Sequence, residues 1–190
     1  GTGQEHRVTG DFNIRTGEDA AIRINALAHT QENYGARQRK LGIAPTYRWG
    51  IGTRDEFSVG LYSLEVNGRP LYNHPWVVVD GKIKPVLPAR NYYGLASDHL
   101  DTSARYVTLG HVHRFDHDGE LRTRVRHGRF ERDLWASVVR FSSPVPITDP
   151  GQINDATVIT RAPKGRIGIS DTTQATSDYS GKFNWGGRQH

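Results

Sequence analysis

Leu41-Gly42-Ile43-Ala44-Pro45-Thr46-Tyr47-Arg48-Trp49-Gly50-Ile51 reads as a β-strand with one oily and one wet side. Leu41, Ile43, Tyr47, Trp49 and Ile51, with Pro45 among them, fall on one side. Gly42, Ala44, Thr46, Arg48 and Gly50 fall on the other. Successive strand side chains point to opposite faces, so a period of two over eleven positions belongs to a strand with two different surroundings. Pro45 brings no N–H and predicts a gap in the ladder at that point.

The same period recurs on either side. Residues 7–15 carry Val8, Gly10, Phe12 and Ile14 on one face, and residues 20–30 carry Ile22, Ile24, Ala26 and Ala28. After a turn at Gly52-Thr53-Arg54-Asp55, strands are expected at 57–66, 105–115, 121–130 and 173–185. Asp116-His117-Asp118-Gly119 has hairpin-turn chemistry, and Gly186-Gly187 marks a further short turn. Helical spacing of apolar residues is scarce, and no apolar run reaches the roughly 18 residues of a membrane-crossing helix.

The connections are informative in their order. Those after strands one, three and five are short. Those after strands two, four and six are longer: residues 31–39, 67–103 and 131–170. In an up-and-down sheet all the short ones lie at one end and all the long ones at the other. Transmembrane barrels show this asymmetry, with short periplasmic turns and long extracellular loops, whereas compact soluble domains rarely carry structureless connections of such length.

Composition narrows the function. Apolar residues are 35% and charged residues 24% of the 190, yet the chain is too rich in Tyr, Trp, Ile and Val for disorder. With no Cys, disulfides, zinc–thiolate sites and thiol nucleophiles are excluded. The chain opens Gly1-Thr2-Gly3 without Met, and is expected to be part of a longer protein. Twenty of the 25 basic residues are Arg and the net charge is +5, which suits an anionic ligand. These Arg residues are spread over strands and loops rather than gathered with aromatics into one patch, so nucleic acid is not the expected partner.

One face is strongly polar, with Arg23, Asn25, Arg48, Arg122, Arg124, Arg126, Lys182 and Asn184. Arg48, Arg122, Arg124 and Arg126 are expected to face a hydrated lumen, the last three pairing with carboxylates of neighbouring strands or of a plug. Trp49, Phe57, Phe115 and Trp185 lie within a few residues of short turns, where an aromatic girdle would sit.

Several segments resemble the TonB-dependent siderophore receptors, and most nearly the catecholate type. They are Gln38-Arg39-Lys40-Leu41-Gly42-Ile43-Ala44-Pro45 with Trp49-Gly50-Ile51-Gly52-Thr53, then Arg90-Asn91-Tyr92-Tyr93-Gly94-Leu95, and the run from Leu121 to Asp133. The resemblance covers about residues 5–185. It implies an all-β, antiparallel up-and-down transmembrane β-barrel, with about seven strands present of a roughly 22-stranded barrel. Residues 1–190 would form one partial barrel domain, without the plug domain, the TonB box or the C-terminal strands. It further implies uptake of a ferric siderophore across the outer membrane of a Gram-negative bacterium. The siderophore would be transported cargo rather than a cofactor. The TonB complex, acting through the absent plug region, and outer-membrane lipid would be partners.

Particular residues carry the remaining expectations. Trp76, Arg90, Tyr92 and Tyr93, with Tyr72 and His74, stand in the first long connection, where aromatics and Arg suit an anionic catecholate. His111 and His113 form a His-x-His pair on the apolar side near a short turn. With no third ligand in view, they are expected to be interfacial rather than metal-binding. Gly165-Arg166-Ile167-Gly168 lacks the strand-to-helix setting of a nucleotide loop. No nucleophile motif points to a catalytic site. A passive porin-type channel and a soluble β-sandwich binding module stand as alternatives, the second requiring the oily faces to meet a second layer of the same chain.

Overall fold

The computed structural model describes residues 3–71, 74–116, 118–143 and 147–182, and the backbone of 184–185 and 188–189. Its main feature is one antiparallel sheet whose strands lie side by side in chain order. They are β1 (Gln4–Arg15), β2 (Ala21–Asn33), β3 (Ala36–Trp49), β4 (Asp55–Arg69), β7 (His99–Arg114), β8 (Glu120–Ser142) and β9 (Val158–Ser180). A small hairpin, β5 (Trp76–Val79) and β6 (Lys82–Pro85), sits between β4 and β7. The pair β10 (Asn184–Trp185) and β11 (Arg188–Gln189) follows β9. Among the described residues the one helical element is a 3-10 turn, Pro150–Gln152, and no helix is long and apolar enough to cross a membrane.

All seven expected strands are present, and six of their connections are corrected or refined at the ends. Residues 31–39 are not a linker: β2 runs to Asn33, β3 starts at Ala36, and the two-residue turn Tyr34-Gly35 joins them. Both turn residues have positive φ, 47° and 87°, the combination that matches the twist of a hairpin. The long connections shrink for the same reason. Residues 70–98 remain between β4 and β7, and 143–157 between β8 and β9, because polar stretches continue the ladder beyond the apolar band. The last strand therefore begins at Val158 rather than residue 173 and ends at Ser180 rather than residue 185. Tyr72, His117 and Gly186-Gly187 lie outside the described residues, as do the side chains of Phe183, Asn184 and Trp185.

Register explains the faces. Phe12, Ile24, Pro45, Leu61 and Val107 occupy one rung; Ile14, Ile22, Tyr47, Val59, Leu109 and Val125 occupy another. The β3–β4 pairing lapses between Ile43–Ser63 and Thr46–Gly60, at the gap that Pro45 predicts. Among the described residues no second layer covers this face. Val8, Phe12, Ile14, Leu41, Ile43 and Leu61 are 51–71% exposed, which removes the β-sandwich alternative. Burying a large apolar side chain contributes about 1.5–3 kcal/mol. Six left in water would forgo an amount comparable to the roughly 5–15 kcal/mol stability of a whole domain. The face is built for an apolar surrounding.

The apolar band also slants across the ladder. Its limit on the long-connection side lies at Val8 on β1 but at Val125 on β8, and Val125 belongs to the rung of Ile14. The limit thus falls from position 8 to position 14 in β1 numbering over five strand-to-strand steps, roughly 1.2 residues per step. With a rise of about 3.3 Å and a strand spacing of about 4.8 Å, this is a tilt of roughly 40°. Transmembrane barrel strands tilt by about 35–45°. The slant accounts for Arg105, Arg129 and Asp171, which stand on the apolar parity yet beyond the band.

Candidate functional site

The wet face gathers its charges near the short turns. Glu56 is buried and joins two strands: it accepts from Arg48 of β3 and from Arg114 Nη2 of β7 at 3.0 Å. Arg114 also reaches Glu120 at 3.3 Å, and Glu120 in turn accepts from Arg122. Arg126 donates to Thr108 Oγ1 at 3.0 Å and lies 4.4 Å over the ring of Tyr106, which stacks on Tyr62. Arg124 is exposed, with no hydrogen bond or ion pair found among the described residues. Arg48, Arg114, Arg122 and Arg124 line a concavity of about 640 Å³ with Glu56 and Asp178. The four predicted arginines therefore share one face; Arg48 and Arg122 pair with carboxylates, whereas Arg126 meets a hydroxyl and a ring instead. Arg114 and Glu56, which complete the network, were not singled out in the sequence.

The opposite face bears a chain of rings at the same end. Tyr47, Trp49, Phe57, His111, His113, Phe115 and Tyr179 follow one another with centroids 4.6–6.2 Å apart. Trp49 and Phe57 are register partners, as are Phe57 and His111, so the chain arises by cross-strand stacking. It runs obliquely, like the apolar band. His111 and His113 both lie against Asp55, a third group that sequence spacing does not reveal.

At the far end, residues 70–71 and 74–98 fold back on the strand ends. Arg69 Nε donates to the Gly35 carbonyl at 2.7 Å, and its guanidinium lies 5.2 Å from the ring centre of Tyr92. Tyr92 donates to the Pro70 carbonyl at 3.1 Å. Burial and the charge of Asp98 hold its phenol above the ordinary range, partly offset by Arg69. Asn91 donates to the Tyr93 hydroxyl at 2.7 Å, and His74 meets the Tyr93 ring edge-on. Tyr92 and Tyr93 are thus half-buried packing residues, whereas Trp76 and Arg90 are exposed. Val77 of β5 and Leu134, Ala136, Val138 and Val139 of β8 are buried, and the Asp98 carboxylate joins the segment to Ser137 of β8.

These features can be set beside known proteins. No protein-family model matches the chain. The catecholate siderophore receptor Fiu of Escherichia coli K12 is 21% identical over 196 residues, spanning 93% of this chain and 26% of Fiu. The probable TonB-dependent receptor BfrD of Bordetella pertussis is 29% identical over 140 residues, 68% of this chain and 18% of BfrD. The crystal structure of Fiu in its open form superposes with a TM-score of 0.81 at 17% identity, over 97% of this chain and 30% of that one. The chain has the barrel fold of the TonB-dependent siderophore receptors. A second receptor barrel agrees: the ferripyoverdine receptor of Pseudomonas aeruginosa gives a TM-score of 0.75 at 13% identity, over 99% of this chain and 25% of that one. The chain thus spans about a quarter of the length of its curated relatives. Its sheet corresponds to part of the receptor barrel.

Proposed function

We propose that this chain is part of the wall of an outer-membrane receptor that takes up ferric siderophores and is energised through the TonB complex. The observation that carries this reading is the slanted, uncovered apolar band on a sheet whose other face is charged. Such a sheet suits a lipid-facing wall around a wet interior. Relatives named as siderophore receptors favour this cargo over a passive channel. The short turns would face the periplasm, and residues 70–98 and 143–157 the outside. Arg48, Arg122, Arg124 and Arg126 would line the lumen. Trp76 and Arg90 would meet the ferric catecholate by stacking and charge, with Tyr92 and Tyr93 holding the segment that presents them.

The test is uptake of radiolabelled iron by iron-starved cells carrying the full-length receptor, with a ferric catecholate supplied. Uptake is expected to vanish without TonB and to fall in a Trp76→Ala/Arg90→Ala variant present at normal levels. Accumulation that persists without TonB would point to a passive channel and defeat the proposal.

A further inference from the structure

We propose that Asp55, His111 and His113 form a binding site for one divalent transition-metal ion of the zinc, nickel or copper class, at the short-turn rim of the outer face. The site follows from register and does not depend on the cargo. Asp55, the first residue of β4, is the register partner of His113 near the end of β7; His111 stands one rung inward on the same face. Both imidazoles address a single carboxylate oxygen: His111 Nε2 lies 2.8 Å, and His113 Nδ1 2.7 Å, from Asp55 Oδ1. The three donor atoms all fall within 4.8 Å of one another.

That geometry is close to a coordination shell. Tetrahedral ligands at about 2.0–2.1 Å from an ion stand roughly 3.3 Å apart. The two contacts to Asp55 need to open by only about half an ångström, within reach of small side-chain rotations. The rings are already oriented by neighbours that are not donors. His111 stacks on Phe57 at 4.6 Å and 10°, and His113 meets Phe115 edge-on at 4.6 Å. Asp55, His111 and His113 are 42%, 41% and 28% exposed, which leaves room for entry and for water as a further ligand. Two imidazoles with one carboxylate suit borderline ions; calcium and magnesium prefer all-oxygen shells.

Bound there, the ion would clamp the turn before β4 to the turn after β7. Those turns already meet through the Arg54–Asp116 ion pair at 3.0 Å and the Arg114 donation to the Thr53 carbonyl at 2.7 Å. The competing account is a plain hydrogen-bonded triad within the aromatic belt, and the experiment separates the two.

The full-length receptor, purified in detergent without a histidine tag and stripped by chelator, is titrated with Zn²⁺ by calorimetry. One site is expected that disappears in His111→Gln/His113→Gln and weakens about tenfold or more in Asp55→Asn. Folding of each variant is checked by heat-modifiable gel mobility. Unchanged Zn²⁺ binding in the folded double variant overturns the proposal. Should the double variant not fold, the wild-type receptor loaded with one equivalent of Cu²⁺ decides. Nitrogen splitting from two imidazoles in its electron paramagnetic resonance spectrum supports the site, and its absence refutes it.

Discussion

Asp98, the last residue before β7, and Ser137 of β8, 39 residues apart, are joined by two hydrogen bonds: Oδ1 accepts from the Ser137 hydroxyl at 2.8 Å and Oδ2 from its backbone N–H at 3.1 Å. Oδ2 also accepts from Leu95 N–H at 3.0 Å. Both residues are buried, so this carboxylate fastens the end of the long connection to β8.

Asp98→Ala leaves the Ser137 and Leu95 donors unpaired in a dry place. Orphaned buried groups cost about 1–3 kcal/mol each. Hydrogen exchange at residues 95–98 and 136–138 should accelerate while the exchange of β2 and β3 stays the same.

Val59→Arg places a charge in the middle of the apolar band, between Tyr47 and Leu109. On the lipid face near mid-depth this is expected to cost about 2–4 kcal/mol. Arg124→Ala on the other face should change stability by no more than about 0.5 kcal/mol. Urea unfolding of the full-length receptor in lipid vesicles measures both.

Gly35→Val should release the folded-back connection. A Cβ there falls 2.9 Å from Tyr92 Cβ, at φ 87°. Gly52, at φ 80°, has nothing within 4 Å. Gly52→Ala is expected to show only the backbone strain of about 1–2 kcal/mol. Limited proteolysis within residues 74–98 should increase for the first variant and not for the second.

His99 predicts a pH dependence. It stands at the long-connection end of β7, beyond the charged residues that close the apolar band. Its Nδ1 lies 3.1 Å from the Ser97 carbonyl and its Nε2 3.3 Å from Asp133. The Ser97 carbonyl first, then Asp133, outweigh desolvation and raise its pKa above the usual 6.5. The protonated form is therefore favoured by folding. Its contribution is complete below about pH 6.5 and is lost as pH rises through the raised value. Protection of residues 97–101 should fall from pH 6 to pH 8.5, and His99→Gln should flatten that profile.

The strands and their faces were legible because hydrocarbon on one side and water on the other impose a period of two. Their ends were not. Beyond the band both faces of β9 meet water, as at Lys164, Arg166 and Asp171, and a strand with two wet faces has no alternation to read. The Tyr34-Gly35 turn was hidden among polar residues for the same reason. Asp55 was missed as a partner of His111 and His113 because 56 and 58 residues separate them. A pairing closed by a 29-residue connection has no register that spacing can fix.

The tilt deduced from the apolar band means that a rung is not a depth. Val8 and Glu131 share a rung, yet one meets acyl chains and the other the aqueous side. Residues that sense the same lipid layer lie on a diagonal, Ile43 of β3 with Val125 of β8 for example. Depth-dependent probes such as brominated lipids should therefore sort these positions by diagonal, and neighbours joined by hydrogen bonds will report different layers of the bilayer.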